Sequence, residues 1–336
     1  MRAWLALLVA CLAGPASATD YAAAGPGVVR EVDTSWADTA RGRELPLRFR
    51  LPESGERLPV IVFSHGLGGS REAGGLEWST HWASRGFAVL HVQHPGSDEA
   101  LWRGKPPAER MANLRAAVTF EQFMARIADI RFVVAELSRR RAAGDNLLGR
   151  LDPERLGMSG HSFGAATTLY LVGQRAPAPG FRDIDLSEPR FGAFLAFSPQ
   201  ATVGGDHAHQ FGAFRRPALM ITGSLDGQPF PGLGAMPDQR LEPFEAMAPA
   251  GNKFLLFIDH ADHMYFNGTP GLRDIGTTGR ERVDFTAVEQ RGYRLIKAVS
   301  TAYWLAYLAG DGEALRWLKD GPAAAMARSD GYLRGK

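Results

Sequence analysis

Gly160-His161-Ser162-Phe163-Gly164 sets one serine between two glycines. Leu156-Gly157-Met158-Ser159 runs into this pentapeptide, and the small residues Ala165-Ala166-Thr167-Thr168 run out of it, the order of strand, tight turn and helix. A turn of that kind lifts the hydroxyl above a sheet, and glycines flank it because side chains there would collide with the neighbouring strand or helix. A serine hydroxyl is a weak nucleophile at its own pKa and needs a base, which in turn needs an acid to orient it. Asp226 follows the apolar run 218–222, and His263 lies in Asp259-His260-Ala261-Asp262-His263-Met264 after the apolar run 253–258. Serine, acid and histidine in that chain order suit acyl transfer through a covalent intermediate. His260 is a rival base, and Asp259 and Asp262 are further carboxylates within reach of an imidazole. His263 is favoured because the chain must first turn back toward Ser162.

Acyl transfer also needs N–H donors for the developing oxyanion. The backbone amide of Phe163, next after the serine, is one. Leu67, in the turn His65-Gly66-Leu67-Gly68-Gly69, is the other. A flexible β–α connection is the bland reading of that turn, and the strand–turn–helix around Ser162 argues against it. His207-Ala208-His209 and the His260/His263 pair lack third and fourth metal ligands at a recognisable spacing, so no metal is expected. No phosphate-cradling loop or dinucleotide fingerprint appears, so no cofactor is expected. His91 and His94 are expected to hydrogen-bond in the core or at its rim. Trp78, Trp102 and Phe230 are candidate pocket walls, although aromatic residues are more often core.

These residues need a frame to hold them. Apolar runs at 58–63, 87–92, 155–159, 191–197, 218–222 and 253–258 read as strands. They alternate with helix-like stretches at 76–84, 120–139, 165–172 and 283–308, the pattern of a mainly parallel sheet flanked by helices. Residues 97–117, with Pro106-Pro107, read as an irregular loop or cap. No linker divides the chain, which gives one α/β domain over 19–336. With 45% apolar and 22% charged residues in 336, a sizeable core can be buried. The net charge of +2 gives no reason to expect a nucleic-acid partner.

Residues 1–18 read as a cleaved signal peptide: Arg2, an apolar stretch over 4–12, then Ala16-Ser17-Ala18. The apolar stretch is too short to span a bilayer, so a periplasmic or secreted protein with no stable membrane span is expected. The single cysteine, Cys11, falls inside this segment. Leu8-Val9-Ala10-Cys11 also looks like a lipobox, which makes a lipid anchor at Cys11 the alternative.

Val62-Phe63-Ser64-His65-Gly66-Leu67-Gly68-Gly69, Ser84-Arg85-Gly86-Phe87, Gln93-His94-Pro95-Gly96-Ser97 and Gly160-His161-Ser162-Phe163-Gly164 together resemble one group. It is the bacterial predicted dienelactone hydrolases of the α/β-hydrolase superfamily, which are similar to platelet-activating-factor acetylhydrolases. The resemblance runs over 59–266. It implies an α/β-hydrolase fold, a triad of Ser162, Asp226 and His263, and oxyanion amides at Leu67 and Phe163. It implies no metal and a preference for short acyl esters, so a small ester or lipid is the expected substrate. The chain departs from the group in two places. True dienelactone hydrolases carry a cysteine where Ser162 stands, and Asp262-His263-Met264 replaces a small residue, histidine and aromatic. The same triad would serve a lipase, polyester or amide hydrolase. A hydrolase-like binding protein without catalysis is the reading from another class.

Overall fold

Leu58–Ser64 is buried at every position, so this strand is covered on both faces. Its alternate side chains enter two different cores: Val60 and Val62 pack on one face, Ile61 and Phe63 on the other. The computed structural model describes residues 19–336 except 179–180, 203–205, 230–231, 233, 271, 276–278 and 283–285. The expectations for the signal peptide, Cys11 and Phe230 lie outside the described residues.

β1 (Val29–Asp38) and β2 (Arg43–Pro52) form an antiparallel hairpin. After β3 (Leu58–Ser64) come α1 (Leu76–Ser84), β4 (Ala88–Val92), α2 (Pro107–Ala116), α3 (Phe120–Ala142) and β5 (Leu151–His161). α4 (Phe163–Val172) follows at once, then a small hairpin of β6 (Arg175–Ala178) and β7 (Phe181–Asp185), and β8 (Phe191–Phe197). The chain continues through α5 (His207–Phe211), β9 (Ala218–Leu225), α6 (Glu242–Ala246) and β10 (Lys253–Asp262). A second hairpin, β11 (Leu272–Ile275) and β12 (Gly279–Arg282), precedes α7 (Ala287–Trp304), α8 (Gly312–Lys319), α9 (Pro322–Ala327) and β13 (Gly331–Gly335).

Nine strands join in one sheet in the order β1-β2-β4-β3-β5-β8-β9-β10-β13. The run from β4 to β10 is parallel, and β1–β2 and β13 close its edges antiparallel. This is an α/β arrangement with a mostly parallel sheet between helical layers. On one face α3 lays Ile127, Ile130, Val134 and Leu137 against the sheet. On the other, Trp78 and Trp82 of α1 meet Tyr293, Ile296, Val299 and Trp304 of α7. Each fully buried aliphatic or aromatic chain contributes about 1.5–3 kcal/mol by leaving water.

The frame differs from the sequence expectation in several respects. Residues 97–106 are irregular apart from a 3-10 turn at Glu99–Leu101, but Pro106-Pro107 then opens α2, because proline lacks only an N–H that the first turn of a helix leaves unused. β5 begins earlier than 155, at Leu151, and β10 runs past 258 to Asp262 through a register irregularity. α7 is described from Ala287, and the last turn of the expected helix is a separate π-helical turn at Leu305–Ala309. The edge strands β1, β2 and β13 carry no long apolar run and were not anticipated.

Candidate active site

β5 delivers Ser162 into a strained turn with φ 57° and ψ −114°, directly ahead of α4. Positive φ costs a non-glycine residue of order 1–3 kcal/mol and persists only where the surroundings enforce it. Here the Ser162 N–H donates to the Phe197 carbonyl at the end of β8, at 3.1 Å. The turn is tight because Gly164 and Gly160 lie against backbone. A Cβ on Gly164 would run into the Ser64 carbonyl, and one on Gly160 into the Gly164 carbonyl.

The structure brings Ser162, His263 and Asp226 together. The Ser162 hydroxyl lies 2.9 Å from His263 Nε2, and His263 Nδ1 lies 2.8 Å from Asp226 Oδ1. Asp226 is wholly buried, and its other oxygen accepts from the Thr222 hydroxyl at 2.7 Å. Burial would raise the Asp226 carboxyl, but the Arg240 charge and the His263 and Thr222 hydrogen bonds outweigh it and hold the group at about 2. Asp226 is therefore an anion at neutral pH. It accepts from Nδ1–H, which puts the acceptor nitrogen of a neutral imidazole at Nε2, against the Ser162 hydroxyl.

His260 lies outside this arrangement. It is exposed, at φ 60°, with its N–H on the Ser224 hydroxyl. The backbone irregularity that His260 occupies carries β10 on to Asp262, so a bulge rather than a return loop delivers His263. Asp259 is exposed as well, and Asp262 accepts the Tyr265 N–H.

Leu67 and Phe163 line the same cavity as Ser162 and His263, together with Gly66, Gly69, Val118 and Met264. Its volume is about 90 Å³. Phe163 is the first residue of α4, where an amide has no partner within the helix. A more open groove of about 250 Å³ shares Ala166 and Gln200 with this cavity and runs past Phe123, Tyr170 and Thr202. Trp78 lines neither. It is core, stacked on Phe197 and donating to the Phe266 carbonyl. Trp102 braces the turn after β3 by donating to the Gly68 carbonyl at 2.7 Å.

Several supports escaped the sequence. Arg126 of α3 is buried and donates to Ser64 Oγ at 2.9 Å, to Ser97 Oγ at 2.8 Å and to the His65 carbonyl, while its guanidinium covers the Phe163 ring at 4.6 Å. One cation thus touches both the turn after β3 and the start of α4. His65 Nδ1 faces its neighbour Gly66 carbonyl at 2.7 Å, and its Nε2 takes the His94 N–H at 3.1 Å. Burial and the Arg126 charge keep His65 well below its usual range, so it stays neutral. His161 Nε2 reaches the His263 carbonyl at 2.9 Å and pins the base from behind. Arg240 sits against Asp226. His91 and His94 are buried hydrogen-bonding residues, as their place in the sequence suggested: His91 meets Arg50, and His94 bridges Ser64 and Asp129. Among the described residues, no group of three or more His, Cys, Asp or Glu side chains is placed to hold a metal. His207 faces Glu242 at 3.6 Å.

The turn after β3 is also where a family match falls. The family model described as platelet-activating factor acetylhydrolase, isoform II, matches residues 47–107. The chain resembles that family of ester hydrolases. The matched residues hold β3, the Leu67 turn, α1, β4 and Trp102, and stop short of Ser162. A platelet-activating factor acetylhydrolase of Cavia porcellus is 24% identical over 204 residues, covering 49% of this chain and 41% of that protein. The match thus spans less than half the length of that relative. Both similarities lie on the acetylhydrolase side of the resemblance read from the motifs.

Proposed function

We propose that this chain is a serine carboxylic-ester hydrolase that works through an acyl-enzyme on short acyl esters. The observation that carries the reading is the continuous contact from Ser162 through His263 to buried Asp226, at 2.9 and 2.8 Å, with the serine held at positive φ. The similarity to acetylhydrolases supports the ester class. In this mechanism Ser162 Oγ attacks the ester carbonyl as His263 Nε2 takes its proton, and the Leu67 and Phe163 amides receive the oxyanion. The C–O bond to the alcohol breaks, and His263 returns the proton to the departing oxygen. Water, deprotonated by His263, then releases the acid and frees Ser162.

The small cavity beside Ser162 suits a short acyl group. The neighbouring groove gives room for a larger group on the other side of the ester, which keeps a lipid or polyester hydrolase as the second reading. A series of p-nitrophenyl esters tests the choice. Acetate and butyrate should be the best substrates, with kcat/KM falling at least tenfold by octanoate. A maximum at octanoate or longer would overturn the short-acyl reading in favour of the second.

A further inference from the structure

Arg240 is 1% exposed and carries a guanidinium into the interior beside the triad. It comes from the short turn Asp238–Arg240, far from Ser162 in sequence. Its Nε donates to the Asp226 main-chain carbonyl at 3.2 Å and lies 3.4 Å from Asp226 Oδ1. Nη1 reaches the Ser198 carbonyl at 3.0 Å and Gln200 Oε1 at 3.2 Å, and Nη2 reaches the Gly227 carbonyl at 3.3 Å. Nη2 also stands 3.3 Å from His263 Nδ1. The chain ends after β8 and β9 are thus fastened to one cation at the back of the base.

The oxygen it approaches decides the consequence. Asp226 Oδ1 is the same atom that accepts from His263 Nδ1–H, while Oδ2 is taken by Thr222. A carboxylate that shares its charge with a fixed cation has less left to stabilise an imidazolium, and the cation repels that imidazolium directly. The other titratable groups near His263 are His161 and the adjacent Asp262. His161 has its ring centre 4.7 Å away and its Nε2 on the His263 carbonyl, and Asp262 accepts the Tyr265 N–H.

We infer that Arg240 is a positioning residue of this site: it fixes the Asp226 carboxylate and weakens the basicity of His263, so that the base stays unprotonated and active into mildly acid solution. The inference rests on the proposed triad but goes beyond it. A purely structural arginine would hold the loops and leave the acid limb of activity where it is.

The test compares kcat/KM against pH for the wild type, Arg240→Gln and Arg240→Lys on a short acyl ester, with folding followed by thermal unfolding. The acid limb of this profile reports the base of the free enzyme. It should lie below the ordinary imidazole value of about 6.5 in the wild type. It should move up by about one pH unit in Arg240→Gln, because the cation no longer opposes the imidazolium. Arg240→Lys keeps a charge but not the fork, so its limb should stay within about 0.3 units while kcat falls about tenfold with KM little changed. A folded Arg240→Gln with an unmoved limb overturns the inference. If Arg240→Gln does not fold, the wild type and Arg240→Lys decide: a wild-type limb at or above about 6.5, or Arg240→Lys at full kcat, overturns it. Turnover by the wild type and its loss in Ser162→Ala test the triad separately, so an active enzyme indifferent to Arg240 refutes only this step.

Discussion

At the scale of single residues, the backbone separates the two candidate bases. His263 faces Ser162 from a buried position, while His260 turns outward three residues earlier. His263→Ala should lower kcat on a short acyl ester by about three orders of magnitude or more, since it removes the imidazole that faces the serine hydroxyl at 2.9 Å. His260→Ala should stay within about threefold of the wild type, because a residue off the site acts only through small shifts. Inactive His260→Ala beside active His263→Ala would reverse the assignment. Ser162 was legible because the chemistry of its turn is local: two glycines, a strand before and small residues after. Asp226 and His263 were legible as positions following strands, though Asp259, Asp262 and His260 could not be set aside until the bulge in β10 was seen. Arg240 and Arg126 left no such trace. Each acts across the fold, Arg240 on Asp226 14 positions away and Arg126 on Ser64 62 positions away, and arginine is ordinarily a surface residue.

At the scale of elements, β3 and β4 place three buried histidines around the oxyanion turn and its support. Burial is the first cause in each case. It holds His65 and His91 well below the usual histidine range and His94 at about 4, with nearby arginines adding to the effect. The sign follows from linkage. These imidazoles bind protons more readily unfolded than folded, so their stabilisation is complete above about 6.5 and is lost as pH falls toward 4. Urea unfolding should therefore show a lower midpoint at pH 4.5 than at pH 7.5, and replacing His94 by glutamine should flatten that dependence. Equal midpoints at both pH values would show that these histidines are not buried in neutral form. Elements with continuous apolar runs were readable, as in β3, β8 and the first part of β10. The edge strands were not. β1 is mostly exposed or half-buried, with only Trp36 and Asp38 buried, and it pairs with β2, so its identity depends on a partner rather than on its own composition. α2 was hidden by its prolines, which punctuate a sequence whether they break a helix or begin one.

At the scale of the whole molecule, the sheet carries the proposed nucleophile Ser162 after β5 and the proposed acid and base, Asp226 and His263, after β9 and β10. Export belongs to this scale as well. We propose that residues 1–18 are removed, leaving Thr19 as the first residue. Tyr21 is buried against Trp317, and Asp20 pairs with Arg294, so the new terminus would be tied to α7 and α8. The intact mass of the exported protein should equal that of 19–336, and a mass retaining a lipidated Cys11 would contradict this. No described helix is long and apolar enough to cross a membrane. The most direct measurement of the proposed nucleophile is intact-mass and peptide mapping after reaction with a fluorophosphonate. The account predicts one adduct per chain, located on Ser162, loss of ester turnover in step with its formation, and no adduct on a folded Ser162→Ala variant. Label on another residue, or a fully labelled enzyme that still hydrolyses esters, would contradict it.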